Sequence, residues 1–303
     1  MFATCAYASV HSLRANPARR GVSARRRCPS LPLALRGAVA AAATTDRDVA
    51  IVTGGAKGIG AACCELLAAQ GWAVVVNHRA SSADAAAALV EKIRASGGHA
   101  LAHEADVGVE ADVVAMFDAA AAYGAVKGLV NNAGILMGAN GSKSVADADA
   151  DDLEQIMRVN LVGPVLCCRE AVRVMSSKKA PGGGAAPGAG GAIVNVSSGS
   201  AVIGRPLLYA ASKGALNSFQ AGAVEELATH GIRINAVSPG MTDTELVADV
   251  VPTFDFSKIP LGRIGAPREI AEGVCFLLGE KGSYVSGANL RIAGGRAPGN
   301  FLG

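Results

Sequence analysis

Seven residues, Gly54-Gly55-Ala56-Lys57-Gly58-Ile59-Gly60, constrain this chain more than any other stretch. They follow an apolar run, Val49-Ala50-Ile51-Val52, and Thr53, and they lead into a helical pattern that reaches Gln70. An apolar run, a glycine turn and a helix start together make a strand-to-helix junction. Glycine lets the backbone approach an anion, and the first N–H groups of a helix lack intrahelical partners and carry partial positive charge. Gly54, Lys57, Gly58, Ile59 and Gly60 are therefore candidate contacts to a dinucleotide pyrophosphate. Many strand-to-helix turns contain glycine, so this reading leans on a second feature. Tyr209-Ala-Ala-Ser-Lys213 begins 149 residues beyond Gly60, and the two together point to hydride transfer.

The chain has 303 residues, but its first 45 differ from the rest. They hold seven arginines, no lysine and no acidic residue, and are otherwise rich in Ala, Ser, Leu and Pro. Arg-rich, acid-poor composition is that of an organelle transit peptide, with a plastid favoured over a mitochondrion because Ala and Ser dominate. The stretch 31–43 is broken by Pro32 and Arg36 and is too short to span a bilayer. Without this segment, 21 basic residues face 25 acidic ones, so the net charge moves from +3 to about −4. No basic run in the remainder suggests nucleic acid, and no membrane partner is expected. About 258 residues remain, 46–303, enough for one large α/β domain. None of the seven cysteines is spaced as CxxC, and the histidines form no ligand pattern, so no metal is expected and the cysteines read as reduced core thiols.

Strand-like runs at 49–53, 73–77, 100–103, 128–131, 192–197, 233–237 and 288–292 alternate with helical patterns near 59–70, 82–95, 110–122, 149–176, 208–229 and 267–278. Continuous apolar strands suit a parallel sheet covered on both faces, and the alternation predicts a doubly wound Rossmann-type domain. A Gly/Ala/Pro segment at 180–191 reads as a flexible insertion without chemistry.

The second strand ends Asn77-His78-Arg79, with no acid to hold a ribose 2′-hydroxyl. Arg79 offers a 2′-phosphate bidentate hydrogen bonds, and Lys57 adds charge, so NADP(H) is preferred to NAD(H). Asp106-Val107 after the third strand and Asn131-Asn132-Ala133-Gly134 at the end of the fourth sit at the carboxyl edge of the expected sheet. There Asp106, Val107, Asn132, Ala133 and Gly134 can contact adenine or order the loops.

These pieces, with Asn160, Ser198, Tyr209-x-x-x-Lys213 and Pro239-Gly240, resemble the classical short-chain dehydrogenase/reductases over residues 48–295. The tail, with Pro260-Leu-Gly-Arg263-Ile-Gly265 and Gly294-Gly295, is similar too. The resemblance implies seven parallel strands and a homotetramer or homodimer. It implies Tyr209 as the acid/base, Lys213 as its neighbour and a contact to the nicotinamide ribose, Ser198 as a donor to the substrate oxygen, and Asn160 as the holder of a relay water. It also implies cofactor contacts from Tyr209, Lys213, Pro239, Gly240 and Thr244, with Thr242 the alternative for the carboxamide. Ser197 and Ser200 compete with Ser198, because the 11-residue gap from Ser198 to Tyr209 is short for this family.

Chemistry supports the pair. A free phenol near pKa 10 is a poor base at neutrality, and Lys213 shares its helix face, so its ammonium is expected to lower the phenol pKa. The loop 242–260, with Leu246, Val247, Val250, Val251, Phe254 and Phe256, reads either as an apolar lid, which favours a lipophilic or medium-sized substrate over a free sugar, or as a loop whose apolar residues simply pack it on the body. The leading expectation is an NADP(H)-dependent oxidoreductase acting on a small carbonyl or alcohol. Alternatives are a 3-oxoacyl carrier-protein reductase of organellar fatty-acid synthesis, a sugar dehydrogenase and a non-catalytic NADP-binding scaffold.

Overall fold

The computed structural model describes residues 44–136, 145–178, 188–248 and 254–296. The expected transit segment 1–45 lies outside them but for its last two residues, as does most of the 180–191 insertion and the stretch 249–253 of the expected lid.

Seven strands form one parallel sheet: β1 (Asp48–Val52), β2 (Ala73–His78), β3 (His99–Glu104), β4 (Ala125–Asn131), β5 (Gly191–Val196), β6 (Ile232–Pro239) and β7 (Asn289–Ile292). Their order is β3-β2-β1-β4-β5-β6-β7. Residues alternate across the sheet. Ala50, Val52, Val74, Val76, Val130 and Val194 pack against α1 (Gly58–Ala69), α2 (Ala83–Ala95) and α8 (Pro267–Leu278). Val49, Ile51, Val75, Leu129, Ile193 and Ile234 pack on the other face, against α3 (Glu110–Tyr123), α5 (Gly163–Met175) and α7 (Leu207–Thr229). Two apolar faces per strand explain why the central runs read as continuously apolar.

The expected doubly wound fold is the one observed, with two departures. The helix predicted over 149–176 is three pieces: α4 (Ala150–Met157), a π-turn at Arg158–Val162, and α5. Pro164, in the first turn of α5, lacks the N–H that would continue the ladder, and the wide turn before it carries Asn160. A short helix, α6 (Ser200–Ile203), also fills the connection before α7. It ends at Gly204 with φ 80°, a left-handed stop.

The winding reverses between β1 and β4, where β1 meets both β2 and β4. The crevice outside the carboxyl ends of such strands is where open α/β sheets bind ligands. Among the described residues no helix is long and apolar enough to cross a membrane, and no cluster of three or more His, Cys, Asp or Glu could hold a metal. The five described cysteines are free and buried, and burial pushes their thiols up, Cys168 to about 12.

Candidate active site

The glycine turn is held by short polar side chains. Gly54 and Gly58 have φ of 60° and 55°, a region that L side chains rarely adopt. The Gly54 N–H donates to Asn77 Oδ1 at 3.1 Å, and Asn77 Nδ2 reaches on to the Ala105 carbonyl at 3.0 Å. Thr53 Oγ1 accepts from the N–H groups of Asn132 and Ala133, both at 3.0 Å. Asn132 Nδ2 donates back to the carbonyls of Thr53 and Gly54 at 2.9 and 3.0 Å. A Cβ built on Gly60 would sit 2.3 Å from the Gly54 carbonyl oxygen, so no other residue fits there without moving backbone. Helix α1 then starts without a side-chain cap and without an acid in its first turn. An uncapped helix start beside a cradle that tolerates no Cβ fits a pyrophosphate.

A cavity of about 150 Å³ adjoins this turn, and Gly54, Lys57, Arg79, Asp106, Val107, Ala133 and Gly134 line it. Asp106 is oriented there: its Oδ1 accepts the Gly108 N–H at 2.8 Å. Arg79 is exposed and meets no carboxylate among the described residues. Lys57 is less free than its charge suggests, because Nζ pairs with Glu245 at 2.9 Å. Both partners are largely exposed, so the pair is weak and an arriving phosphate can displace it.

A second cavity, about 400 Å³, lies at the ends of β5 and β6 and shares Gly134 with the first. Ile59, Asn132, Ser198, Tyr209 and Lys213 line it, as do Pro239, Gly240, Thr242 and Thr244. Thr244 reaches back to the turn, its Cγ2 lying 3.2 Å from where a Gly58 Cβ would be. Thr242, nearly buried, donates to the Gly240 carbonyl at 3.1 Å. Of the two threonines, Thr244 is the one set against the glycine turn.

Tyr209 and Lys213 occupy one face of α7, with Lys213 Nζ 5.8 Å from the centre of the Tyr209 ring. The ammonium donates to the Val196 carbonyl at 2.8 Å. Burial alone brings Lys213 from 10.5 down to about 8. Burial pushes the Tyr209 phenol up, and the opposing effect comes from a hydrogen bond with Ser198. The structure thus departs from the expectation that Lys213 sets the phenol pKa. Burial disfavours the charged form of each group, the phenolate and the ammonium alike. The phenol therefore keeps its proton at neutral pH and can donate it.

All three candidate serines line the cavity, and contacts favour Ser198 over Ser197, while Ser200 donates its N–H to Ser198 Oγ at 3.1 Å. Ser197 Oγ donates to Asn217 Oδ1 at 2.6 Å and is tied up, whereas Ser198 stands beside the Tyr209 phenol. The short connection between them is taken up by α6 and the left-handed Gly204. Asn160, fully buried on the π-turn, accepts the Ile135 N–H at 2.9 Å and donates to the Ile135 carbonyl and to Ser212 Oγ, at 2.9 and 3.0 Å. Its side chain is thereby committed to braces, on one side to the Gly134 loop and on the other, through Ser212, to the Tyr209 carbonyl at 2.8 Å.

Sequence reasoning missed several contributors. Thr53, which opens the glycine motif, and Asn77, at the end of the second strand, clamp the turn, a role the sequence assigned to neither. Asn77, a polar residue closing an apolar strand, was the available signal. Arg205, Arg291 and Arg296 line the larger cavity, and no local pattern marks them.

Three comparisons bear on this geometry. The family described as short chain dehydrogenase matches residues 48–254. The uncharacterized oxidoreductase YgfF of Escherichia coli is 40% identical over 260 residues, covering 82% of this chain and 99% of that protein. Cis-4-hydroxycyclohexanecarboxylate dehydrogenase of Sinomonas cyclohexanicum is 39% identical, covering 82% and 95%. Among solved structures, a blue fluorescent protein from a metagenomic library, crystallised with NADPH, superposes with a TM-score of 0.71 at 35% identity, over 83% of this chain and 98% of that one.

Proposed function

The chain belongs to the short chain dehydrogenase family, and from that premise we propose that it is an NADP(H)-dependent oxidoreductase that interconverts a ketone and a secondary alcohol. The observation that carries the proposal is convergence: Tyr209, Ser198 and Lys213 face one cavity, and that cavity adjoins the glycine cradle through Gly134.

A bound nicotinamide would supply hydride to the carbonyl carbon, or take it in the reverse direction. Residues Gly54 to Gly60 and the start of α1 would hold the pyrophosphate, with Thr244 and Pro239-Gly240 against the far end. Arg79 is placed to form bidentate hydrogen bonds with a 2′-phosphate, and no acid at the end of β2 repels it. That favours NADP(H), as does the NADPH held by the metagenomic relative.

On the substrate side, the Tyr209 hydroxyl donates its proton to the carbonyl oxygen. Ser198 lies beside it to donate a second hydrogen bond to the same atom. Both donors act where negative charge develops, and Tyr209 is buried, which strengthens its bond. Lys213 is cationic below pH 8 and sits one helical turn from the phenolate that forms. Asn160 and Ser212 hold α7 and the Gly134 loop in register, which fixes the phenol against the cleft.

The proposal extends to residues 1–45 as an organelle targeting segment, supported by their seven arginines and lack of acids, with the plastid as destination. A fluorescent fusion of that segment tests it. Assembly as a homotetramer or homodimer is likewise proposed, and light scattering reads it. For the activity, cofactor oxidation is followed by absorbance against a panel of ketones and aldehydes, with NADPH and NADH in parallel. Turnover with NADPH exceeding that with NADH is expected. Tight cofactor binding with no turnover of any carbonyl would replace an enzyme with a binding scaffold.

A further inference from the structure

The larger cavity carries charge that the proton chemistry leaves unused. Arg205, Arg291 and Arg296 line it, and among the described residues no Asp or Glu does. Arg291 lies on β7, beside Ser238 of β6, and Arg296 follows five residues later. Arg205 comes from the α6–α7 connection, four residues before Tyr209. The Arg291 guanidinium donates to the Arg296 carbonyl, and the Arg296 guanidinium lies 5.0 Å from the centre of the Phe254 ring. Both arginines are partly buried.

The contrast with other arginines is informative. Arg94, Arg169, Arg173, Arg263 and Arg268 each meet a carboxylate, Arg233 is bonded to backbone carbonyls, and Arg47, Arg79 and Arg158, which meet no carboxylate among the described residues, are exposed. None of the three cavity arginines enters an ion pair among the described residues. Partly buried like charges repel and lose solvation together, and a guanidinium fork stacked on an aromatic ring is oriented for a planar anion. Between these arginines and the polar groups around Tyr209, the wall carries apolar side chains, Ile203, Met241, Leu246 and Val247. A ligand matching this wall has an apolar body and one anionic end.

We propose that the substrate is a carbonyl compound bearing a carboxylate, which Arg291 and Arg296 hold while the carbonyl oxygen meets Tyr209. The inference rests on reading this cavity as the substrate site, and it adds an anionic end to the lipophilic or medium-sized substrate expected from the lid residues. Arg205 adds a weaker third contact, since it is exposed. The arginines position substrate and take no part in proton transfer.

The test uses two matched pairs of probes. One is 4-oxocyclohexanecarboxylate and its methyl ester, compared by kcat/KM with NADPH. The other is cyclohexanecarboxylate and cyclohexanecarboxamide, compared by calorimetry on the cofactor complex, which needs no turnover. Charge-assisted bidentate pairing predicts at least about a tenfold preference for the acid in both pairs. In Arg291→Gln and Arg296→Gln, singly and together, the acid-to-neutral ratio should fall toward one, with NADPH affinity retained. Equal handling of acid and neutral probe by the unaltered protein would overturn the proposal. So would a preference that survives both substitutions, or an equal loss of NADPH affinity, which would assign the arginines to the cofactor. Arginine-dependent binding of the acid without turnover of either ketone would keep the anion site and sink the reductase reading. Turnover without preference would do the reverse.

Discussion

The two cavities that meet at Gly134 are built by different means. Around the smaller one, backbone does most of the work. Glycines make the turn, helix α1 presents unpaired N–H groups, and Thr53, Asn77 and Asn132 clamp the loop through bonds of 2.9 to 3.1 Å. The larger one is mostly a side-chain construction, assembled from the ends of β5, β6 and β7 together with α6 and α7. A backbone site is rigid and general, because every dinucleotide carries the same pyrophosphate. A side-chain site can be re-cut by single substitutions, and that is where a family with one reaction would vary its substrates.

The difference predicts how each half breaks. Gly60→Ala should be the most damaging change, because its Cβ would lie 2.3 Å from the Gly54 carbonyl. A loss of about 1 to 3 kcal/mol in stability is expected from overpacking. Thermal unfolding and NADPH titration would read both that and near-complete loss of cofactor binding. An unchanged affinity would show that the cradle tolerates what its geometry forbids.

Lys213 sharpens the comparison from the other side. Its drop from 10.5 to about 8 corresponds to roughly 3 kcal/mol. The folded value lies below the unfolded one, so the unfolded chain binds more protons between pH 8 and 10.5. Stability contributed at this site therefore rises across that window and is flat below it. Urea midpoints for the protein and for Lys213→Met should converge as pH climbs from 8 to 10.5, with Lys213→Met the more stable below it. A constant offset would mean that the amine is already solvated.

Next come the edges of the smaller cavity. Arg79→Glu should move the NADPH-to-NADH ratio of kcat/KM toward NADH by about tenfold or more, as expected for losing a charge-assisted contact and adding repulsion. A ratio that stays put would remove Arg79 from the phosphate. Asn77→Ala should cost about 1 to 2 kcal/mol by freeing the Gly54 N–H, and hydrogen exchange at that amide should speed up. The smallest effect belongs to Glu245→Gln. Breaking an exposed pair with Lys57 should change stability by less than about 1 kcal/mol.

The same contrast explains what could be read from the chain. Strands are legible because Val49 to Val52 and Val74 to Val76 are apolar on both faces. The glycine turn is legible because few other sequences permit φ near 60° twice in five residues. Tyr209 and Lys213 are legible because helix spacing places them together. Asn160's π-turn was not, since a helix pattern continues through it without interruption. Nor was the origin of the phenol's pKa. Position suggests a cation effect, but magnitude depends on burial, which no spacing reveals. The arginines were the least visible. Arg205 and Arg291 are 86 residues apart in sequence, and only the sheet brings both to one cavity.

One experiment addresses the proton step by itself. Tyr209→Phe removes a single oxygen from the larger cavity and leaves the glycine cradle untouched. Turnover should fall by about 10² to 10⁴, the usual contribution of a positioned acid, while the NADPH dissociation constant stays within about twofold. Turnover that persists at the original rate would contradict the account, because the proton would then have to come from elsewhere.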